Sequence, residues 1–97
     1  MEHLPENSVD QVLQNIYSHL AQNGLFVASV ATFEIPHSNH HQCVHEQDWW
    51  NTKFKANGLD PIDHSKIFQL ADFPRGASLH DWLPEDGKGF HIVCRKI

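Results

Sequence analysis

The chain has 97 residues, of which 40% are hydrophobic and 20% charged, a composition typical of one small globular domain. Its formal net charge is −5 and it carries no basic stripe, so nucleic acid is not an expected partner. It contains no run of about 18 apolar residues, so neither a membrane-spanning helix nor a membrane partner is expected. The first residues do not resemble a signal peptide, and we therefore expect a cytoplasmic protein with free thiols.

The first predicted element is an amphipathic helix over residues 8–23. Its apolar side chains recur at helical spacing, and its opposite face is polar. Ser8 and Gln11 form a capping-box pattern at its start. Asn23 and Gly24 are expected to end it, with Gly24 in the left-handed conformation. Because only one side is apolar, the helix is expected to pack on a sheet.

Residues 25–31 form the longest nearly continuous apolar run and are predicted to be a strand. Apolar side chains occur at both odd and even positions, which favours a strand covered on both faces by helices. A helix that ends at glycine and is followed at once by such a strand is typical of an α/β fold.

Residues 32–45 are predicted to form a polar loop that is unusually rich in histidine. The loop contains His37, His40, His41, Cys43 and His45. Imidazole and thiolate groups suit zinc or copper, with the last four of these residues as candidate ligands. Their spacing matches no established closed zinc motif, so a solvated polar loop is the favoured interpretation. A substrate-binding loop and a metal site remain as alternatives.

The second half of the chain is predicted to contain a helix over 46–57, a turn over 59–63 and a strand over 66–71. A long loop over 72–88 and a final strand over 89–96 follow. The adjacent Trp49 and Trp50 cannot face the same way on a helix, so one is expected in the core. In the long loop, His80 and Trp82 are candidate substrate contacts. Cys94 is expected to be an inert buried thiol and Cys43 to be more exposed.

Four segments in order resemble the C-terminal half of a class I S-adenosylmethionine-dependent methyltransferase. Glu2-His3-Leu4-Pro5-Glu6 is similar to the segment after the family's fourth strand. The helix that runs into Gly24-Leu25-Phe26-Val27 resembles the approach to its fifth strand, and Asp48-Trp49-Trp50 through Gly58-Leu59 resembles the helix before its sixth. The closing segment Phe90-His91-Ile92-Val93-Cys94-Arg95-Lys96 is similar to its last, antiparallel strand.

The resemblance implies half of a Rossmann-like α/β fold, with two main helices and a three-stranded mixed sheet. The implied strand order is 25–31, 89–96, 66–71, with the last strand antiparallel in the middle. In the family a glycine-rich turn after the first strand holds the cofactor. No glycine-rich turn that follows a strand and opens a helix is recognisable here, so we expect no cofactor and no catalytic residue in this chain alone. Glu2 and His3 are only a weak remnant of the cofactor-binding edge.

The leading hypothesis is therefore a single-domain, methyltransferase-like fragment without its own catalysis, acting as a small binding or interaction protein. Strand 25–31 would be an apolar edge, which favours a homodimer through it or a separate N-terminal half as partner. One alternative is a small enzyme or metal-binding protein that uses the His-rich loop 37–45. Another is a methyltransferase whose S-adenosylmethionine site is completed by a second chain.

Overall fold

The computed structural model describes residues 1–34, 40–63 and 88–97. These ranges form a small α/β fold of two α-helices and three strands: α1 Val9–His19, β1 Leu25–Ala31, α2 Gln47–Ala56, β2 Leu59–Ile62 and β3 Gly89–Lys96. A short 3-10 helix, Glu6–Ser8, precedes α1. None of the described helices is long and apolar enough to cross a membrane.

The three strands form one sheet in the order β1-β3-β2. Leu25 lies opposite Arg95 at one end of the β1–β3 ladder, and Ala31 lies opposite Gly89 at the other. The position of the last strand, in the middle and antiparallel to its neighbour β1, is confirmed. Strand β2 is also antiparallel to β3. A mixed sheet requires a parallel pair of adjacent strands, and the described part of the chain contains none.

The second neighbour of β3 is β2, where the sequence predicted a turn over 59–63, so that prediction is wrong. Pro61 was the reason for predicting a turn, but it lies opposite Cys94 in the ladder. Proline is tolerated in an edge strand because its missing N–H can lie on the unpaired side. The predicted strand 66–71 and all but the last residue of the predicted loop 72–88 lie outside the described residues.

Both helices pack on the same face of the sheet. Residues directly opposite each other in a ladder share a face, and the pairs on this face are Phe26–Cys94, Ala28–Ile92 and Val30–Phe90. These side chains belong to, or pack against, the same hydrophobic cluster as Val9, Leu13, Trp50 and Phe54 of the two helices. The described helices cover this face of residues 25–31, and Val93, which lies opposite Val27 on the other face, is also fully buried.

Helix α1 is shorter than the predicted 8–23, and its ends differ in detail. Ser8 has helical backbone angles and makes no side-chain cap hydrogen bond, because the preceding 3-10 turn already leads into the helix. The helix ends where Leu20 becomes extended, with ψ of 140°. The left-handed residue is Asn23, with φ of 62°, instead of Gly24. Asparagine tolerates this conformation better than most side chains. Helix α2 lies within one residue of its predicted bounds at each end.

Gly58 joins α2 to β2 at a φ of 79°, in the left-handed region. A Cβ at this position would lie only 2.6 Å from the ring of Tyr17. The Tyr17 hydroxyl donates a hydrogen bond to the carbonyl of Ile97 at 2.8 Å, and Lys96 Nζ lies 4.3 Å from the centre of the ring. Tyr17 therefore connects α1 to the end of β3 and leaves room only for hydrogen at Gly58.

Replacement Gly58→Ala is expected to lower the free energy of unfolding by about 1–3 kcal/mol, because alanine is strained at positive φ and its methyl group displaces Tyr17. Urea denaturation followed by circular dichroism measures the change. Asn23→Gly is the matched control at the other left-handed position, and it should change stability by less than about 1 kcal/mol. A Gly58→Ala variant as stable as the wild type would contradict this account of the α2–β2 connection.

Candidate functional site

The segment before α1 is held against the loop that follows β1. The backbone N–H groups of Gln42 and Cys43 both donate to the carbonyl oxygen of Glu2, at 2.9 and 3.0 Å. The Leu4 N–H donates to the Met1 carbonyl at 3.0 Å and closes a turn around the same position. These bonds bring the N-terminal acidic and imidazole side chains beside those of the His-rich loop. The loop follows the carboxyl end of β1, the kind of position at which open α/β sheets bind ligands.

Glu2, His3 and His41 form the first cluster in this region, which we call the Glu2 cluster. Each offers one potential ligand atom, and the three atoms lie within 4.8 Å of one another. His3 Nε2 and Glu2 Oε1 lie 3.7 Å apart. The rings of His3 and His41 meet edge to face with centroids 4.9 Å apart. Such a group can hold a cation or bind a small polar ligand.

Glu6, Cys43 and His45 form a second cluster, with ligand atoms also within 4.8 Å of one another. His45 Nε2 and a Glu6 carboxylate oxygen are already hydrogen-bonded to each other. The His45 ring stacks on Trp49 at a centroid distance of 3.8 Å and an angle of 10°. Burial, and then the nearby Glu6 carboxylate, raise the pKa of Cys43, which keeps its thiol protonated. Within this cluster, His45 and Glu6 therefore already satisfy each other, and the thiol is neutral and buried.

The candidate ligands His40, His41, Cys43 and His45 do not come together as one set. His41 belongs to the Glu2 cluster, whereas Cys43 and His45 belong to the second cluster. His40 is in neither group, although its ring centroid lies 6.2 Å from that of His3. The sequence did not indicate Glu6 as a site residue, because its partner His45 is 39 positions away and no local spacing links them.

The other predicted site residues have different outcomes. His37, His80 and Trp82 lie outside the described residues. Trp50 is fully buried in the core, and the half-buried Trp49 covers His45. Both cysteines are free and buried, so the prediction of a more exposed Cys43 is wrong. Its burial follows from the backbone hydrogen bonds between the loop and Glu2, because the Cys43 N–H is held to the Glu2 carbonyl and its side chain joins the core.

Burial, with a smaller contribution from Asp60, raises the pKa of Cys94 to about 12 from an ordinary value of 9.0. The folded protein therefore keeps this thiol neutral, whereas the unfolded chain ionises it near pH 9.0. Its contribution to stability is fully present below pH 9.0 and is lost as the pH rises toward about 12. We expect urea denaturation at pH 8 and pH 10 to show a fall in stability that is smaller in Cys94→Ala. An equal fall in both proteins would contradict this role for Cys94.

No protein-family model, curated protein or solved structure matches this chain. The functional interpretation therefore depends on the geometry of the two clusters and the sheet, together with the motifs of the sequence.

Proposed function

We propose that this chain is a methyltransferase-like fragment that has no catalysis of its own and acts as a small binding module, pairing with a second copy of itself through β1. The observation that carries the proposal is the strand order β1-β3-β2, with the last strand in the middle and antiparallel to both neighbours. The resemblance to the back half of a class I methyltransferase implies the same central, antiparallel last strand beside β1, although it implies 66–71 in place of β2 as the other neighbour. The half Rossmann-like fold and a mixed sheet, which needs a further strand parallel to its neighbour, are part of the proposal.

The position of both helices adds support from packing. Helix α1 leads into β1 and α2 connects β1 to β2, and both lie on the same face of the sheet. Leu25, Val27 and Ser29 project to the opposite face, which no described helix covers. Val93, which lies opposite Val27 on that face, is fully buried, as expected for a sheet that is covered on both sides.

The free edge of β1 is the surface through which the proposed pairing takes place. In the described part of the chain, β1 pairs only with β3. Leu25 at its start is 36% exposed, and among the described residues only Ile97 is another exposed large hydrophobic residue. An edge strand presents unpaired N–H and C=O groups that can pair with another strand. Two copies of β1 related by a two-fold axis would join two three-stranded sheets into one of six strands.

Cofactor chemistry is not expected from this chain alone, because the sequence offers no glycine-rich turn to hold S-adenosylmethionine. The Glu2 cluster lies beyond the carboxyl end of β1, where a ligand of an open α/β sheet would bind. That placement favours a second candidate function, a methyltransferase whose S-adenosylmethionine site is completed by another chain.

Sedimentation equilibrium at micromolar concentration is expected to show a homodimer. Leu25→Lys should raise its dissociation constant at least about tenfold, because a charge at the β1 edge must be desolvated on pairing. Ile97→Lys is the matched control: Ile97 is an exposed apolar residue just after β3, on the β2 side, where its N–H bonds to Gly58. A wild-type monomer, or an equal loss of dimer in both variants, would contradict the proposed interface.

Titration calorimetry with S-adenosylmethionine is expected to give no binding heat with this chain alone. If binding occurred and were lost in His3→Ala, the second candidate function would replace the first. Circular dichroism of the variant provides the control for folding, and His3 suits the test because its side chain is 59% exposed.

A further inference from the structure

We infer that the Glu2 cluster is a binding site for a divalent transition-metal ion, with Zn²⁺ as the best match to its donors. Glu2 contributes a carboxylate oxygen, and His3 and His41 contribute one imidazole nitrogen each. The site is distinct from the four-residue ligand set that the spacing of the His-rich loop suggests. It is also independent of the dimer proposed above, since it uses no residue of the β1 edge.

The separation of the donor atoms is close to that of a zinc site. Zinc bonds to nitrogen and oxygen at about 2.0–2.2 Å, so tetrahedral ligand atoms lie roughly 3.4 Å apart. His3 Nε2 and Glu2 Oε1 are 3.7 Å apart, and all three donors lie within 4.8 Å of one another. The His3 side chain is 59% exposed and can move toward the other two without disturbing the core. A small closure is sufficient to give coordinating distances.

His41 has the hydrogen bond that orients a metal-binding imidazole. Its Nδ1 lies 2.6 Å from the carbonyl oxygen of Phe33. A carbonyl oxygen can only accept, so Nδ1 carries the proton and Nε2 of the neutral ring keeps its lone pair. Metal-bound histidines commonly donate their other N–H to a carbonyl or carboxylate in this way. The Phe33 ring, 4.8 Å from the His41 ring, further restricts its rotation.

Glu2 supplies the negative charge that attracts the ion. Its side chain is only 12% exposed, and its Oε2 is buried without a hydrogen bond. The Met1 amino group lies 3.3 Å from Oε2, an ion-pair distance that does not give a hydrogen bond. A carboxylate removed from water is costly unless it is paired. A divalent ion at Oε1 would compensate the charge more fully than the amino group alone.

The backbone holds the two halves of the site together before any ion arrives. The bonds from Gln42 and Cys43 to the Glu2 carbonyl join the N-terminal segment to the loop. Less ordering is therefore required on binding, which favours affinity. Three protein donors leave at least one coordination position open, as in zinc sites that bind water or substrate.

The donor set also selects the class of metal. Two imidazoles and one carboxylate suit zinc and its neighbours in the first transition series, whereas Mg²⁺ and Ca²⁺ prefer oxygen ligands alone. The second cluster is a poorer site, because its thiol is buried in the core and its imidazole is already bonded to Glu6. A thiol must lose its proton to bind zinc.

Titration calorimetry of the full chain with ZnCl₂ tests the site, with MgCl₂ as the metal control. We expect one Zn²⁺ per chain, with a micromolar dissociation constant and no binding of Mg²⁺. His3→Ala and His41→Ala should each weaken binding at least about tenfold. His19→Ala is the matched control, because this exposed histidine of α1 bonds only to the Asn15 carbonyl among the described groups, and its loss should leave binding unchanged.

Nitrogen-15 spectra of the imidazole rings provide a readout that a purely structural role would not move. Zinc should shift the Nε2 resonance of His41 while its Nδ1 stays protonated. The inference is overturned if wild-type protein binds no Zn²⁺ at millimolar concentration. It is also overturned if His3→Ala and His41→Ala bind as the wild type does, or if Cys43→Ser or His45→Ala abolishes binding while they do not.

Discussion

The rest of the described structure depends on β3, which comes last in the chain and lies in the middle of the sheet. Both β1 and β2 enter the sheet only through hydrogen bonds to β3, so neither helix has a surface to pack on until this strand is in place. Ile92, Val93 and Cys94 at its centre are almost completely buried. Tyr17 then ties α1 to the end of the same strand. Because contacts between β1 and β3 join distant parts of the sequence, closing this sheet carries the entropic cost of closing a long loop.

Local sequence patterns predict most of the observed helices and strands, but they predict less well which strands and side chains lie next to each other. The apolar run at 25–31 and the alternation at 89–96 predict β1 and β3 at the bounds observed, because period and apolar content decide such strands. The same rules missed β2, because Pro61 predicts a turn. Proline is compatible with a strand only where the strand is known to lie at the edge of a sheet. The first cluster could be predicted only in its separate parts. The sequence indicates Glu2 and His3 as a remnant motif and His41 as a candidate ligand of the loop, but the backbone bonds to Glu2 that unite them have no local signal.

A clamp of two hydrogen bonds, from the N–H groups of Gln42 and Cys43 to the Glu2 carbonyl, links the fold to its chemistry. By drawing Cys43 inward it removes a thiol from the surface, and it places His41 beside Glu2 and His3. It thereby divides a histidine-rich segment into two groups of different character. In one, His45 is hydrogen-bonded to Glu6 beside the buried Cys43, and the other retains donors for a ligand. Neither the proposed metal site nor the proposed pairing of β1 requires methyl transfer, so both proposals are compatible with a binding module that has no catalysis of its own.

The central claim is that β1 is an open edge in the single chain and becomes an internal strand when two copies pair. Amide hydrogen exchange, followed residue by residue at high and low protein concentration, tests this most directly. The account predicts that β3 amides stay protected at both concentrations, whereas the β1 amides that do not bond to β3 are protected only at the higher one. Rapid exchange of those β1 amides at every concentration, or protection that does not change on dilution, would contradict the account.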